Sequence, residues 1–159
     1  MKLSTKGRYA VRAMLDLALQ NGGNPTLVKD ISKRQGISDL YLEQLLTRLQ
    51  TSGLIRSIRG PKGGFLLTKA PSEIRLCDIL QTVEGSTAPV ECVENETLCE
   101  RADTCITRKV WIKMKQAVDE VLESTTLQDL VEWHDNGDNN GHETKASTKK
   151  TSTRRRKLK

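Results

Sequence analysis

Two short helical patterns joined by a tight turn limit what this chain can fold into. The first pattern covers residues 27–35, and a Gly-Ile-Ser turn at 36–38 follows it, with Ser38 placed to cap the next helix. The second pattern covers residues 39–52 and ends at Gly53; one face is apolar and the other is rich in hydrogen-bonding groups. Such a pair predicts a helix-turn-helix. The apolar face repeats at three- and four-residue steps: Leu42, Leu45, Leu46 and Leu49.

A hairpin rich in glycine and proline comes directly after the second helix. Residues 54–58 and 65–67 are β-prone, and the six residues between them read Arg-Gly-Pro-Lys-Gly-Gly. After a helix-turn-helix this pattern predicts the wing of a winged helix, although a plain surface hairpin would use the same turn residues. A tip with so little bulk can enter a minor groove, which attracts arginine by its concentrated negative potential. The tip residues concerned are Arg59, Gly60 and Lys62.

The remaining patterns predict helices rather than a large sheet. Aromatic residues make up only 3% of the chain, so the core must be built from Leu, Ile, Val and Ala. Helices are predicted over 5–20, 77–83 and 106–123, and a Thr126–Asp129 capping box opens a last short helix. The apolar stripe on 106–123 must pack on helix 5–20 or on its copy in a second subunit. The predicted fold class is mainly α with a small β-hairpin wing: a winged helix-turn-helix plus a long dimerisation helix.

Charge is segregated along the chain and supports a division into three parts. Residues 1–69 carry 12 Lys/Arg and 4 Asp/Glu, residues 70–135 carry 6 and 14, and residues 136–159 carry 8 and 2. We therefore expect a DNA-binding domain at 1–70 whose first helix also packs on the dimer helix, and a cysteine loop with the dimerisation helix at 71–135. The polar segment 136–159 is expected to be a disordered basic tail. A solvated surface with accidental bias is the alternative reading of the charges.

The location expected from the sequence is the cytoplasm. No apolar run approaches the roughly 18–20 residues that a membrane-spanning helix needs, so no membrane partner is predicted. The first residues lack the apolar stretch and cleavage site of a secretion signal.

Three cysteines, Cys92, Cys99 and Cys105, share one polar loop before the long helix. Reducing conditions would keep these thiols free, and gathered thiolates hold zinc or iron–sulfur clusters. Zinc is the weaker possibility, because structural zinc sites favour closely spaced cysteine pairs that this loop lacks. A thiol switch that forms a disulfide, and inert cysteines, both stay open. Cys77, beside Ile79 and Leu80, is expected to be a buried structural thiol.

Five segments of the chain carry distinctive motifs: 2–18, 35–38, 41–45, 59–65 and 78–85. Together they resemble the IscR/NsrR-type winged-helix regulators, and most of all their IscR-like branch. The resemblance covers roughly residues 1–133, and the three cysteines fall in register. It implies a homodimer whose long helices cross at the interface and which binds a pseudo-palindromic site in double-stranded promoter DNA. It also implies one iron–sulfur cluster per subunit, [2Fe–2S] or [4Fe–4S], with Cys92, Cys99 and Cys105 as ligands.

Two positions depart from the pattern of those regulators and leave the fourth cluster ligand open. Arg108 stands three residues after the last cysteine, where IscR-like members supply a histidine. Arg8 stands where other relatives supply a carboxylate from the partner subunit. Solvent, a small thiol or a carboxylate of the loop could take the fourth position; the nearby carboxylates are Glu91, Glu94, Glu96, Glu100 and Asp103.

The residues expected to contact DNA fall into two groups. Base reading is expected from the second helix, because glutamine suits adenine and arginine suits guanine by bidentate geometry. Phosphate contacts are expected from basic residues, which position the protein without specifying sequence. The base-reading candidates are Ser38, Tyr41, Glu43, Gln44 and Arg48, and the phosphate candidates are Lys6, Arg8, Lys33 and Arg56. Ser38 could contact a phosphate instead of a base. Glu43 could accept from cytosine N4, orient a neighbouring arginine, or reject certain sites by repulsion.

The patterns predict a DNA-binding regulator, and the resemblance further implies a dimer, mostly a repressor, that senses iron–sulfur cluster, iron or redox status. No phosphate-binding loop, dinucleotide fingerprint or general-base constellation is present, so an enzyme is not expected. Two alternatives remain. One is a regulator without a cluster that uses its cysteines as a thiol or zinc switch. The other is an architectural protein that binds nucleic acid by charge alone.

Overall fold

The computed structural model describes residues 3–20 and 22–137 of the 159-residue chain. Over that part, helices and one antiparallel hairpin confirm the predicted fold class. The predicted disordered tail lies outside the described residues from 138 onward. The elements are α1 (Thr5–Leu19), α2 (Val28–Gln35), α3 (Asp39–Thr51), β1 (Ile55–Ile58), β2 (Gly64–Leu67), α4 (Leu76–Glu84), α5 (Ile106–Ser124) and α6 (Leu127–Asp135).

The turn between α2 and α3 forms as the sequence predicts. Gly36 ends α2 in the left-handed conformation at φ 63°, which is unfavourable for residues with a Cβ. Ile37 then turns into the core, and all four leucines of the apolar face of α3 are buried. The prediction that Ser38 caps α3 is wrong in one respect: the residue holds the N-cap position, but its side chain makes no capping hydrogen bond. Its hydroxyl is exposed instead.

The wing is fixed to the helices at its base. Ile55 pairs with Leu67 and Ile58 with Gly64 in an antiparallel register, so the tip spans residues 59–63. Thr26, in the α1–α2 connection, exchanges two backbone hydrogen bonds with Phe65, at 3.0 and 2.8 Å. Gly64 has a φ of 148° and lies against the backbone of Thr26, where a Cβ would collide. The hairpin therefore needs glycine at this position to approach the helical core.

One apolar core extends across the proposed division at residue 70. α1 packs on α4 and α6 as well as on the helix-turn-helix. Ile74, Ile79 and Leu127 are buried together with the leucines of α3. The beginnings of α4 and α6 are joined by backbone hydrogen bonds from Leu76 to Thr125 and from Leu127 to Ile74. The division at 70 is therefore a proposal about roles, since packing does not separate the two parts.

Cys77 is the residue whose predicted burial is wrong. It is only half-buried, in the first turn of α4. The buried face of this helix is taken by Ile79, Leu80 and Val83, which leaves the thiol at the boundary with solvent.

The long helix α5 stands outside the core. None of its residues is buried, and its main contacts within the chain are with α4 and with the 3-10 turn Glu91–Val93, rather than with α1. Val110 is 52% exposed and Val121 is 60% exposed, on a stripe that the sequence predicted to be covered. Of the two predicted partners, the copy in a second subunit is the one this arrangement favours. No helix in residues 3–20 and 22–137 is long and apolar enough to span a bilayer.

Candidate nucleic-acid interface and cysteine loop

Four of the five predicted base-reading residues lie on the exposed side of α3. They are Ser38, Glu43, Gln44 and Arg48. The exposed side is turned away from the buried leucines, as a helix with a period of 3.6 residues requires. Gln50 Nε2 donates to Ser57 Oγ at 3.2 Å and so ties the end of α3 to the wing.

Tyr41, the fifth candidate, is held by α1. It is half-buried, and its ring meets that of Tyr9 edge to face, with centroids 5.9 Å apart and planes at 84°. The Arg12 guanidinium lies 5.5 Å from the centroid of the Tyr9 ring. Tyr41 therefore has a packing role that the sequence reasoning missed, together with its partner Tyr9. The 3.6-residue pattern of α1 gave no sign of this contact, since the two tyrosines lie on different helices.

An ion pair between an exposed arginine of α2 and a buried carboxylate of α1 joins these two helices, next to the turn that leads into α3. Asp16 is 3% exposed and accepts from Arg34 Nε at 2.9 Å and Nη2 at 2.7 Å. Gln35 Nε2 donates to the same carboxylate at 3.0 Å. The hydrogen bond to Asp16 raises the pKa of Arg34 above its ordinary value. Since a planar guanidinium matches a carboxylate with two parallel bonds, this pair sets the geometry of the two helices as well as their contact.

The predicted phosphate-contacting residues lie on the surface. Lys33 and Arg56 are exposed, Lys6 is half-exposed, and Arg8 Nη2 donates to Thr5 Oγ1 at 3.3 Å. The wing-tip residues Arg59, Gly60 and Lys62 are also exposed. Gly60 has a φ of 107°, a conformation that the tip can adopt because the residue lacks a side chain. These residues are thus accessible to a duplex.

The first turn of α1 is capped by a carboxylate from another helix. Ser4 is the N-cap, and its hydroxyl accepts from the amides of Lys6 and Gly7. Glu84, the last residue of α4, accepts from the Gly7 amide at 2.9 Å, from the Ser4 amide at 3.2 Å and from the Ser4 hydroxyl. A negative charge here complements the helix dipole, and α1 has no acidic residue of its own in its first turn. The contact connects the beginning of α1 to the point where the cysteine loop begins.

The cysteine loop, residues 86–105, is attached to α5 at two points. Thr87 Oγ1 donates to Asp119 at 2.9 Å, and Asp119 is also paired with Lys115. The hydrogen bond from Lys115 lowers the pKa of Asp119. Further along, Arg108 Nε donates to the Cys92 carbonyl at 2.9 Å and Nη2 to Glu96 at 2.7 Å. Arg108, at the position where the resemblance implies a histidine, thus attaches the loop to α5. Its two contacts, with Cys92 and Glu96, form the Arg108 clamp.

The thiol of Cys105, at the end of the loop, differs in acidity from the thiol of Cys77 in α4. Cys105 is the N-cap residue of α5, and the Thr107 hydroxyl, 3.2 Å from its sulfur, lowers the pKa of the thiol. The partial burial of Cys77 raises the pKa of its thiol. All four cysteines are free and partly exposed. A thiolate at a helix N-terminus is further stabilised by the helix dipole, so the thiolate fraction near neutral pH is larger for Cys105 than for Cys77.

The structure does not gather the cysteines into a metal-binding group. Among the described residues, no set of three or more Cys, His, Asp or Glu side chains is arranged to hold a metal ion. Three thiols are the donors that an iron–sulfur cluster takes, so the chemistry of the loop fits the group while its arrangement does not. Ligation would require the loop to close from the conformation described here.

Comparisons with known proteins give a consistent picture. The Rrf2 family model, described as an iron-dependent transcriptional regulator, matches residues 3–133. CymR of Bacillus subtilis is 43% identical over 135 residues, covering 85% of this chain and 93% of CymR. Its solved structure, described as that of a global cysteine regulator, covers 84% of this chain and 98% of its own, with a TM-score of 0.71.

Regulators named IscR match equally well. IscR of Pectobacterium carotovorum subsp. carotovorum is 44% identical over 131 residues, which is 82% of this chain and 79% of that protein. The solved structure of T. potens IscR has a TM-score of 0.72 at 39% identity, covering 86% of this chain and 90% of its own. These relatives are named as transcriptional regulators, in agreement with the prediction that the chain is not an enzyme.

Proposed function

The chain belongs to the Rrf2 family of transcriptional regulators, and we propose that it acts as a homodimer on pseudo-palindromic promoter sites, mostly as a repressor. The observation that carries this proposal is the exposed side of α3, with Ser38, Gln44 and Arg48 accessible beside a basic wing. Base-edge contacts from this helix would specify sequence, and Lys6, Lys33 and Arg56 would hold phosphates. Action on promoter DNA would place the protein in the cytoplasm.

The exposed stripe of α5 supports the homodimer. A helix with no buried residue and several large exposed side chains is stable only if another surface covers it. A second copy would do so symmetrically, since a two-fold interface brings the same surface of both chains together. The two reading helices would then contact half-sites about one helical turn, or about 34–36 Å, apart.

The sensing element we propose is the cysteine loop, with one iron–sulfur cluster per subunit held by Cys92, Cys99 and Cys105. Either [2Fe–2S] or [4Fe–4S] is compatible with three thiolates. When bound, such a cluster would respond to iron supply, oxygen and redox state by being gained, lost or oxidised. Arg108 cannot serve as the fourth ligand, because a guanidinium stays protonated and has no acceptor. Solvent, a small thiol or a neighbouring carboxylate would complete the set. Closing the loop would compete with the Arg108 clamp and so shift the equilibrium between two loop conformations.

A regulator without a cluster is the second candidate, and the acidity of Cys105 favours it. A partly exposed thiol with a lowered pKa is suited to oxidation, and oxidation to a disulfide would also change the loop. The similarity to CymR, described as a cysteine regulator, is in keeping with a signal of this kind. For a zinc switch, the described residues offer no supporting feature comparable to the lowered pKa of Cys105.

Purification without oxygen distinguishes the two candidates. The cluster proposal predicts a coloured protein whose visible absorption and bound iron are lost when Cys92, Cys99 or Cys105 is replaced by serine, while Cys77→Ser keeps both. A colourless, iron-free protein whose DNA binding responds to a mild oxidant would instead establish the thiol switch.

A separate binding experiment tests sequence reading. Gln44→Ala should relax base preference at one position of the site, whereas Lys6→Ala should weaken binding to all sites alike. A charge-only architectural protein would give matching profiles for the two variants, and it would lose nearly all discrimination at physiological salt.

A further inference from the structure

Leu40 is an apolar side chain on the surface that would face DNA. It is the second residue of α3 and is 71% exposed, while the leucines at 42, 45, 46 and 49 of the same helix are at most 2% exposed. Single exposed leucines are common on protein surfaces and need no explanation by themselves. This one lies near the N-terminal end of the reading helix, the end that contacts base edges in helix-turn-helix proteins.

The helix places Leu40 in line with three other exposed residues. Steps of four, three and four residues connect Leu40 to Gln44, Thr47 and Thr51, and at 3.6 residues per turn these positions share one stripe. The stripe lies opposite the buried leucines, so it forms the centre of the exposed side of α3. Gln44, whose amide suits adenine, therefore stands between Leu40 and Thr47.

Both threonines of the stripe use their hydroxyls inside the helix. Thr47 Oγ1 donates to the Glu43 carbonyl at 2.8 Å, and Thr51 Oγ1 donates to the Thr47 carbonyl at 2.9 Å. When a threonine bonds back to the preceding turn, its methyl group is the branch that remains free. The stripe thus presents one amide with an apolar group on each side of it.

We propose that Leu40 and the Thr47 methyl recognise the 5-methyl groups of thymines next to the adenine that Gln44 reads. The proposal rests on sequence reading by α3. In the major groove the thymine methyl is the apolar feature of the base edges, and alanine, threonine and other apolar side chains contact it. Cytosine lacks this methyl, so Leu40 discriminates thymine from cytosine without a hydrogen bond. The preferred half-site is then an adenine flanked by thymines on either strand.

Removal of single methyl groups from the DNA tests this directly. The full chain, reduced and under anaerobic conditions, first selects duplexes from a random library. Each thymine of the selected duplex is then replaced by deoxyuridine, which keeps base pairing and removes only the methyl. We expect about a fourfold loss of affinity at each contacted thymine, the scale of burying one methylene-sized group.

Matched variants assign each methyl to a side chain. Leu40→Ser should abolish the deoxyuridine effect at one position. Thr47→Ser should abolish it at another while keeping the hydroxyl that bonds to Glu43. Leu27→Ser, which changes an exposed leucine outside α3, should leave the profile unchanged. Because Leu40 and Thr47 are exposed, thermal melting should match the wild type for both variants.

The outcomes separate this proposal from the one on which it rests. If no duplex is enriched, sequence reading itself fails. If duplexes are enriched but replacing thymine with deoxyuridine does not change affinity, recognition of thymine methyls is refuted. It is also refuted if the loss of affinity with deoxyuridine persists in both Leu40→Ser and Thr47→Ser. In either case the proposal of a sequence-specific regulator still stands.

Discussion

Gly7 and Glu84 provide a test of how the beginning of α1 is held. A methyl group added at residue 7 should lower the free energy of unfolding while the Glu84 carboxylate is present, and should no longer lower it once that carboxylate is removed. A Cβ at residue 7 would lie 2.5 Å from Glu84 Oε1, 3.0 Å from Leu80 Cδ2 and 3.1 Å from Leu3 Cδ1. The two leucine atoms are ends of flexible side chains and can move. The carboxylate oxygen can move only by giving up its bonds to Ser4 and Gly7.

The expected magnitudes follow from two opposed effects. Alanine is favoured over glycine in a helix by up to about 1 kcal/mol, less in the first turn. Each hydrogen bond to a charged group contributes about 1.5–3 kcal/mol, and the half-buried position of Glu84 reduces this figure. Gly7→Ala should therefore destabilise the wild type by about 1–3 kcal/mol. In a Glu84→Ala background the same substitution should be neutral or stabilise by up to about 1 kcal/mol.

Urea unfolding of the four proteins of this cycle, followed by helical circular dichroism, measures the coupling. Protein concentration must be equal throughout, since association affects apparent stability. The two substitutions should be coupled by about 2 kcal/mol. If Gly7→Ala changes the free energy of unfolding equally in both backgrounds, within about 0.5 kcal/mol, the Glu84 carboxylate does not cap α1.

Three further predictions concern the cysteine loop and its attachment to α5. Iodoacetamide should alkylate Cys105 faster than Cys77 near neutral pH, because their pKa values are shifted in opposite directions; equal rates in peptide mass spectrometry would contradict this. Arg108→Lys should weaken the clamp by about 1 kcal/mol, measured as faster amide hydrogen exchange over residues 92–96, with unchanged exchange there as the opposing result. Asp119→Asn should destabilise the protein at neutral pH but not in acid. Because the pKa of Asp119 is lowered in the folded protein, its charge contributes stability at pH values above the ordinary carboxyl pKa, and this stability is lost as the pH falls through the lowered pKa. If the difference in free energy of unfolding between wild type and variant is the same at every pH, this contribution of Asp119 is excluded.

The helices, the turn and the wing could be predicted from the sequence because local patterns determine them. The leucine spacing of α3 fixes its buried face, and Gly36 permits the left-handed turn before it. The Thr126–Asp129 capping box, read from four residues, is present with the Asp129 carboxylate bonded to the Thr126 amide at 2.7 Å. In each case the interacting residues are neighbours in the chain, so periodicity and turn chemistry are sufficient.

The interactions that hold the site together were missed where they join distant residues. Ser4 and Glu84 are 80 positions apart, and Asp16 and Arg34 are 18 apart. Charge alone gives no means of pairing them, because many other carboxylates and cations are available in the sequence. The packing of Tyr41 on Tyr9 has the same origin. The spacing of the loop cysteines does not determine their arrangement either, since loop conformation depends on contacts between distant residues such as Arg108 and Glu96.

Leu127 completes the core from α6, the last helix of the described residues, and this affects the order in which the protein can fold during synthesis. The residue is fully buried, and α6 lies against α1. While the ribosome is still making the segment before residue 127, the side of α1 that α6 will cover is exposed to water, an unfavourable state for apolar surface. The helix-turn-helix is synthesised before α6, so the core that it shares with Leu127 is completed only after residue 127 has been made. During synthesis α3 is therefore made before the packing of α6 on α1 can form.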